Sequence, residues 1–374
     1  MYSKKVGILT LYYKNYNFGG LLQAYALCTF LQESGINARQ ISYFLPSGYS
    51  EYKGKIIYDI KHFIKMIVYG KYYRNMTRKN KKIYEFGSSI PHTQEVTSKT
   101  IFKLNNQFDI FICGSDQIWN PIGWQDILFL SFVSSDKKKI AYAASMARDY
   151  FTKAEATFAF NYMESFFKIS LREKESIMAL RKYDDSFVAE VMPDPTLLLT
   201  KQQWDKIAEG KIISEPYIFA YFLGNNLLQR EKTIEYAQKR NLKIYFIKYL
   251  DIAYRDWELN HEQYMVDNVG VNEFLSLIKY AELVITDSFH GAVFSSIFET
   301  PFEVLNRFEK SDLKSMNSRI TTLMDILQVN RNIDELDFGM DYSFSEDELI
   351  VIRKQLVKQR KIGRKFLLEA LDFD

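Results

Sequence analysis

The chain has 374 residues, enough for two domains of ordinary size that each bury a core of their own. Hydrophobic residues make up 47% and charged residues 25%, and 16 glycines with 7 prolines are few for this length, which excludes collagen-like, linker-like, Pro-rich and largely disordered chains. A formal net charge of +3 makes no electrostatic case for nucleic acid, and the two cysteines, Cys28 and Cys113, sit in apolar runs without disulfide or metal-ligand spacing, which suits the cytosol.

Lys4 and Lys5 precede an apolar run that imitates a short signal peptide. It lacks a small-x-small cleavage site and is interrupted by Lys14-Asn15, so residues 6–11 read as a buried strand. A polar turn at 14–20 follows, then a helix over 21–31 with Gly35 as its C-cap and a strand over 38–44, a βαβ unit that implies a parallel sheet. Residues 53–82 hold ten Lys/Arg against one acid, Asp59, with Ile56, Ile60, Ile64 and Ile67 at helical intervals. That pattern reads as a basic amphipathic helix, or as a solvated basic insertion over 53–85. Further strands are expected at 108–113, 139–144, 169–171 and 187–192, with a helix at 153–167. Pro193 and Pro195 close this half.

The alternation restarts with strands at 217–223, 242–247, 283–286 and 302–305, interleaved with helices at 229–240, 271–280 and 291–298. A charged amphipathic helix runs over 346–371. The expected fold class is α/β: two Rossmann-like βα domains, 1–200 and 201–345, facing across a cleft, and a C-terminal helix, 346–374, packing back on the body. Ligands in such folds bind beyond the carboxyl ends of the strands. No run reaches the ~18 apolar residues of a membrane-spanning helix.

Strand ends are therefore the places to look for chemistry. Thr286-Asp287-Ser288-Phe289-His290-Gly291 follows a four-residue strand and opens a helix, whose free N–H groups can hold an anion. His290 is one of four histidines; it is either a proton-transfer group or a satisfied core imidazole. Gly114-Ser115-Asp116-Gln117-Ile118-Trp119-Asn120 offers close backbone approach, polar groups for sugar hydroxyls and an indole that could stack on a ring, or else it is a capped turn with Trp119 in the core. Asn17-Phe18-Gly19-Gly20-Leu21-Leu22-Gln23 lies at the first βα turn but is neither a dinucleotide fingerprint nor a P-loop. Arg172 and Arg319 could each clamp a phosphate or carboxylate with the planar guanidinium fork, or form surface ion pairs. Asp194-Pro195-Thr196 reads as a domain-closing turn. Metal-ligand spacing and a Gly-x-Ser-x-Gly elbow are missing from the sequence, so no metal and no cofactor are expected.

These motifs in this order resemble the polysaccharide pyruvyl transferase family. The match runs from Val6-Gly7-Ile8-Leu9-Thr10 and the Asn17–Leu27 segment through Asp109–Asn120, Tyr142-Ala143-Ala144-Ser145, Ser170-Leu171-Arg172-Glu173 and Asp194-Pro195-Thr196 to Thr286–Gly291 and Ser318-Arg319. The resemblance implies a GT-B-like two-domain fold and transfer of pyruvate from phosphoenolpyruvate, the donor substrate, onto two hydroxyls of a sugar in capsule, exopolysaccharide or cell-wall synthesis. The family histidine matches His290. Some members carry an arginine two residues before it; here Ser288 stands there, which shifts anion binding toward Arg172 and Arg319.

The residues suit that chemistry. Phosphoenolpyruvate is a carboxylate and a phosphate, both matched by arginine. A histidine can protonate the methylene carbon or the departing phosphate, or pair with the phosphate. His290 and Arg172 are the expected catalytic residues. Ser288, Phe289, Gly291, Arg319, Gly114, Ser115, Asp116, Gln117, Asn120, Asn17, Gly19 and Gln23 are the expected substrate contacts. The acceptor is a saccharide, free or lipid-linked, and the basic segment could rest on the anionic inner face of the membrane. Two rival expectations are a GT-B glycosyltransferase using a nucleotide sugar and a non-catalytic carbohydrate-binding assembly protein.

Overall fold

The computed structural model describes residues 4–44, 70–248, 256–307 and 317–372. Its strands form two six-stranded sheets, both wholly parallel. The first contains β1 (Lys5–Leu9), β2 (Asn37–Gln40), β3 (Ile110–Cys113), β4 (Lys138–Ala144), β5 (Lys168–Leu171) and β6 (Glu190–Val191) in the order β2-β1-β3-β4-β5-β6. The second contains β7 (Tyr217–Tyr221), β8 (Lys243–Ile247), β9 (Met265–Val266), β10 (Leu283–Thr286), β11 (Phe302–Leu305) and β12 (Asn332–Ile333) in the order β12-β11-β10-β7-β8-β9. β3, β7, β10 and β11 are buried at every position, as continuous apolar runs in a doubly covered parallel sheet must be.

Among the described residues the α-helices are α1 (Phe18–Glu33), α2 (Gly70–Ser89), α3 (Lys153–Met163), α4 (Lys174–Arg181), α5 (Lys201–Asp205), α6 (Leu227–Lys239), α7 (Asp256–Asn260), α8 (Val271–Lys279), α9 (Phe289–Phe298), α10 (Ser318–Leu327) and α11 (Glu346–Leu371). α1 is buried along most of its length, and only its last two residues, Gln32 and Glu33, are exposed. It packs between the first sheet and the second half: Phe18 stacks on Phe274 of α8 at 4.6 Å, and one buried cluster runs from Val6 and Leu22 to Phe219 and Phe274. Each such aromatic contributes about 1.5–3 kcal/mol by leaving water. α11 packs on the first half, where Arg360 and Arg364 donate to the carbonyls of Leu199 and Leu198.

Several boundaries differ from expectation. The helix expected at 153–167 stops at Met163, and the strand expected at 187–192 is two residues, Glu190–Val191. α9 begins at Phe289, two residues early, because Ser288 caps it, and this puts His290 inside the first helical turn. Most of the basic segment lies outside the described residues. In its described end, Lys79 is buried and donates to the Lys248 carbonyl, and Lys82 pairs with Glu273, so both fasten α2 to the second half. Among the described residues, no helix is long and apolar enough to cross a membrane.

Candidate active site

The carboxyl ends of β1 and β10 each run into a capped helix. Asn17 caps α1, its side-chain oxygen accepting the N–H groups of Gly19 (2.9 Å) and Gly20 (3.3 Å). Ser288 caps α9, accepting the N–H of Gly291 at 3.4 Å. Both caps line one pocket of about 160 Å³, so two helix N-termini, each carrying partial positive charge, meet there. The rest of its wall is Asn15, Asp116, Gln117, Leu223, Phe289, His290, Arg307 and Arg319.

His290 is 7% exposed and packs over Gly19, where a Cβ would collide with the imidazole ring. Its Nε2 is buried, makes no hydrogen bond among the described residues, and lies 3.5 Å from Asp194 Oδ2. That same oxygen accepts Arg172 Nη1 at 2.7 Å, while Asp194 Oδ1 accepts the N–H (3.0 Å) and hydroxyl (2.8 Å) of Thr196. Arg172 also donates through Nε to Glu173 at 3.2 Å and lies 4.3 Å over the Phe289 ring. Its Nη2 is buried without a hydrogen bond among the described residues, 3.9 Å from Asp116 Oδ1.

The charges are strongly coupled. Burial alone would raise the Asp194 carboxyl, but His290 and Arg172 outweigh it and hold the group well below the usual carboxylate range. Burial opposes the Arg172 charge, and Glu173, Asp194 and Asp116 more than compensate. Arg319 fares differently: burial first, then repulsion from Arg172 and Arg307, holds its guanidinium below the usual arginine range. Asp116 and Glu173 offset this only in part, and an incoming anion stabilises a buried cation crowded by like charges. Arg307 donates to the Asp287 carbonyl (2.9 Å) and carboxylate (3.3 Å), and Asp287 in turn accepts the N–H groups of Leu223 (2.7 Å) and Gly224 (2.6 Å), which fixes this wall of the pocket.

The structure brings most of the expected residues together. Asn17, Asp116, Gln117, Ser288, Phe289, His290 and Arg319 line the pocket, and Gly19 lies under His290. Arg172 sits one layer back, behind Phe289 and Asp116. Gln23 and Ser115 are fully buried and act as a latch. Gln23 donates to the Thr10 hydroxyl (2.8 Å) and Gly20 carbonyl (2.9 Å) and accepts the Ser115 N–H (3.0 Å), while Ser115 donates to the Ala143 carbonyl (2.5 Å). Gly114 has φ +116°, and a side chain there would strike the Tyr142 carbonyl. Asn120 orients Gln117, donating to it at 2.7 Å, and Gly291 supplies its N–H to the α9 cap. Trp119 is core: fully buried, stacked on Phe129 at 4.8 Å and hydrogen-bonded to the Leu128 carbonyl, so it offers no ring to a sugar. Both cysteines are buried, and burial pushes their thiols up, Cys28 to about 12.

Sequence inspection missed Asp194 and Arg307. Arg307 stands just past the end of β11, a signal of the same kind that marked His290. Asp194 does close a turn, as expected, yet its second oxygen serves Arg172 and His290.

The family model for polysaccharide pyruvyl transferase matches residues 17–307, a span that holds Asn17, Arg172, Asp194, His290 and Arg307. The chain belongs to the polysaccharide pyruvyl transferase family. It is thus an enzyme that transfers pyruvate to polysaccharide. No curated protein sequence matches it significantly. Solved structures similar to this transferase include UDP-GlcNAc 2-epimerase from Methanocaldococcus jannaschii, 12% identical over 97% of this chain and 98% of that one, with a TM-score of 0.54. Another is the N-terminal domain of trehalose-6-phosphate phosphatase from Candida albicans (9% identity, 99% and 97% coverage, TM-score 0.54). A third is UDP-GlcNAc 2-epimerase from Neisseria meningitidis bound to UDP-GlcNAc (10%, 98% and 99%, 0.51). At such identities the likeness shows the fold, the GT-B-like pairing of two βα domains.

Proposed function

We propose that this transferase takes pyruvate from phosphoenolpyruvate and places it on two hydroxyls of one sugar in a surface-polysaccharide precursor, as a cyclic ketal. The observation that carries the reading is the convergence of Arg307, Arg319, His290 and two helix N-termini on a single small pocket. A compact anion with separate carboxylate and phosphate groups satisfies such a site.

Arg319 and Arg307 bind the anion, and Arg172, behind Phe289, holds Asp194 and adds positive potential. One sugar oxygen attacks the enol carbon while the methylene carbon takes a proton from His290 and becomes methyl. The carbon–oxygen bond to phosphate then breaks, and the second sugar oxygen closes the ketal. The proton account balances: of the two hydroxyl protons released, one replaces the proton His290 gave and the other leaves with inorganic phosphate. Asp194 beside His290 stabilises the imidazolium that gives the proton and that forms again when a hydroxyl proton replaces it, and Asp116 and Gln117 receive the acceptor hydroxyls. The reaction runs without a resident cofactor, at the cytoplasmic face where activated precursors are assembled.

Incubation with phosphoenolpyruvate and a panel of galactosides, glucosides and mannosides tests this. The expected result is inorganic phosphate release coupled to an acceptor mass gain of pyruvic acid less one water. Consumption of a nucleotide sugar in place of phosphoenolpyruvate overturns it.

A further inference from the structure

Next to the His290 pocket lies a second one, of about 60 Å³, formed by the loop after β1 and the end of α2. Asn15 belongs to both, so the two cavities share a wall. Asn15 is held rigidly: its amide donates to the Leu11 carbonyl (2.8 Å) and its oxygen accepts the Asn17 N–H (3.0 Å). The second pocket is unlike the first, because its walls are tyrosine. Tyr16 is 36% exposed and Tyr84 55% exposed, whereas most of the aromatics among the described residues are buried.

The polar groups of this pocket are also ordered. Lys14 adopts a left-handed φ of 54° and pairs with Glu95 at 2.6 Å, and the Tyr13 hydroxyl donates to the same carboxylate at 2.8 Å. Burial, reinforced by Glu95, pushes the Tyr13 phenol up to about 12, so it remains a neutral donor. Ser88 and His92 complete the rim. A purely apolar ligand would strand these groups, and the charge of Lys14 is already met by Glu95, which leaves little for an anion to gain. A neutral polyhydroxyl ring satisfies both aspects of the wall, its C–H face against tyrosine and its hydroxyls toward the amide and the Lys14–Glu95 pair.

We propose that this tyrosine-walled pocket is the subsite for a second sugar ring of the acceptor, so that the enzyme selects saccharides of two or more rings. The proposal rests on transfer to a saccharide at the His290 pocket; the reacting ring sits there and its neighbour passes Asn15 to reach Tyr16 and Tyr84.

Binding of methyl galactoside, methyl glucoside and methyl mannoside is compared with that of lactose, cellobiose and mannobiose by saturation-transfer NMR and titration calorimetry, in the wild-type enzyme and in Tyr16→Ala and Tyr84→Ala. The full-length protein is used, with circular dichroism to confirm folding. For at least one sugar type the wild type is expected to prefer the disaccharide, with saturation transfer to its second ring. Each substitution is expected to reduce that preference by about tenfold, the usual weight of a buried aromatic anchor. An unchanged preference in both folded variants, or no disaccharide preference in the wild type, overturns the subsite. Because binding is read without turnover, a tyrosine-dependent preference in a protein that releases no phosphate from phosphoenolpyruvate would refute the donor assignment alone.

Discussion

The imidazole of His290 occupies the space that a side chain on residue 19 would need. One ring from the second half is thereby seated on the first turn of α1 in the first half, and Gly19 is the residue that admits it. Gly19→Ala is expected to expel the ring, with an overpacking cost of about 1–3 kcal/mol and a loss of kcat that exceeds the loss of stability. Turnover and thermal unfolding measured together check this; wild-type kcat in the alanine variant would show that the seat is dispensable.

Asp194 uses one oxygen for the Thr196 cap and the other for Arg172 and His290. Asparagine can keep the cap while removing the charge. Asp194→Asn is expected to lower kcat by about 10–100-fold, the equivalent of a lost charged hydrogen bond of about 1.5–3 kcal/mol. In a His290→Gln background the same substitution should cost much less, since the carboxylate acts partly through the imidazole. Equal effects in the two backgrounds would mark Asp194 as purely structural.

Arg319 is held below the usual arginine range by burial and by two neighbouring arginines. Arg319→Ala is expected to raise KM for phosphoenolpyruvate by about 10–100-fold, on the scale of one charge-assisted contact. It should also abolish the thermal stabilisation that phosphoenolpyruvate gives the wild type. A variant with unchanged KM and thermal shift would place the donor elsewhere.

A pH-dependent element lies outside the pocket lining. Glu303 of β11 is buried against Arg331, and burial, only partly offset by that arginine, raises its carboxyl from the ordinary 4.5 to about 7. Between those values the folded protein holds a proton that the unfolded chain releases, so this group's contribution falls as pH rises from 4.5 to 7. Glu303→Gln should remove that decline. Urea midpoints at intervals across this range read it out, and an identical slope in the variant would contradict it.

Much of the scaffold was legible because most of its longer strands are short apolar runs, of which β3, β4 and β10 are followed by Gly114, Ser145 and Asp287, and His290 stood out by scarcity near such an end. Trp119 was ambiguous, since an aromatic beside polar residues looks the same whether it stacks on Phe129 or on a sugar. Asp194 was half legible: the Asp-Pro-Thr turn announces Oδ1, whereas Oδ2 meets Arg172, 22 residues away, and His290 from the other half. The pairing of α1 and α9 caps around one pocket depends on how two sheets face each other, which no local pattern encodes.

Release of inorganic phosphate from phosphoenolpyruvate by His290→Ala, with a saccharide acceptor present, tests the central claim most directly. The expected rate is lower than wild type by about 10²–10⁴-fold, the usual weight of a positioned proton donor, with the circular dichroism spectrum unchanged. A folded variant that releases phosphate at the wild-type rate would contradict the assignment of His290.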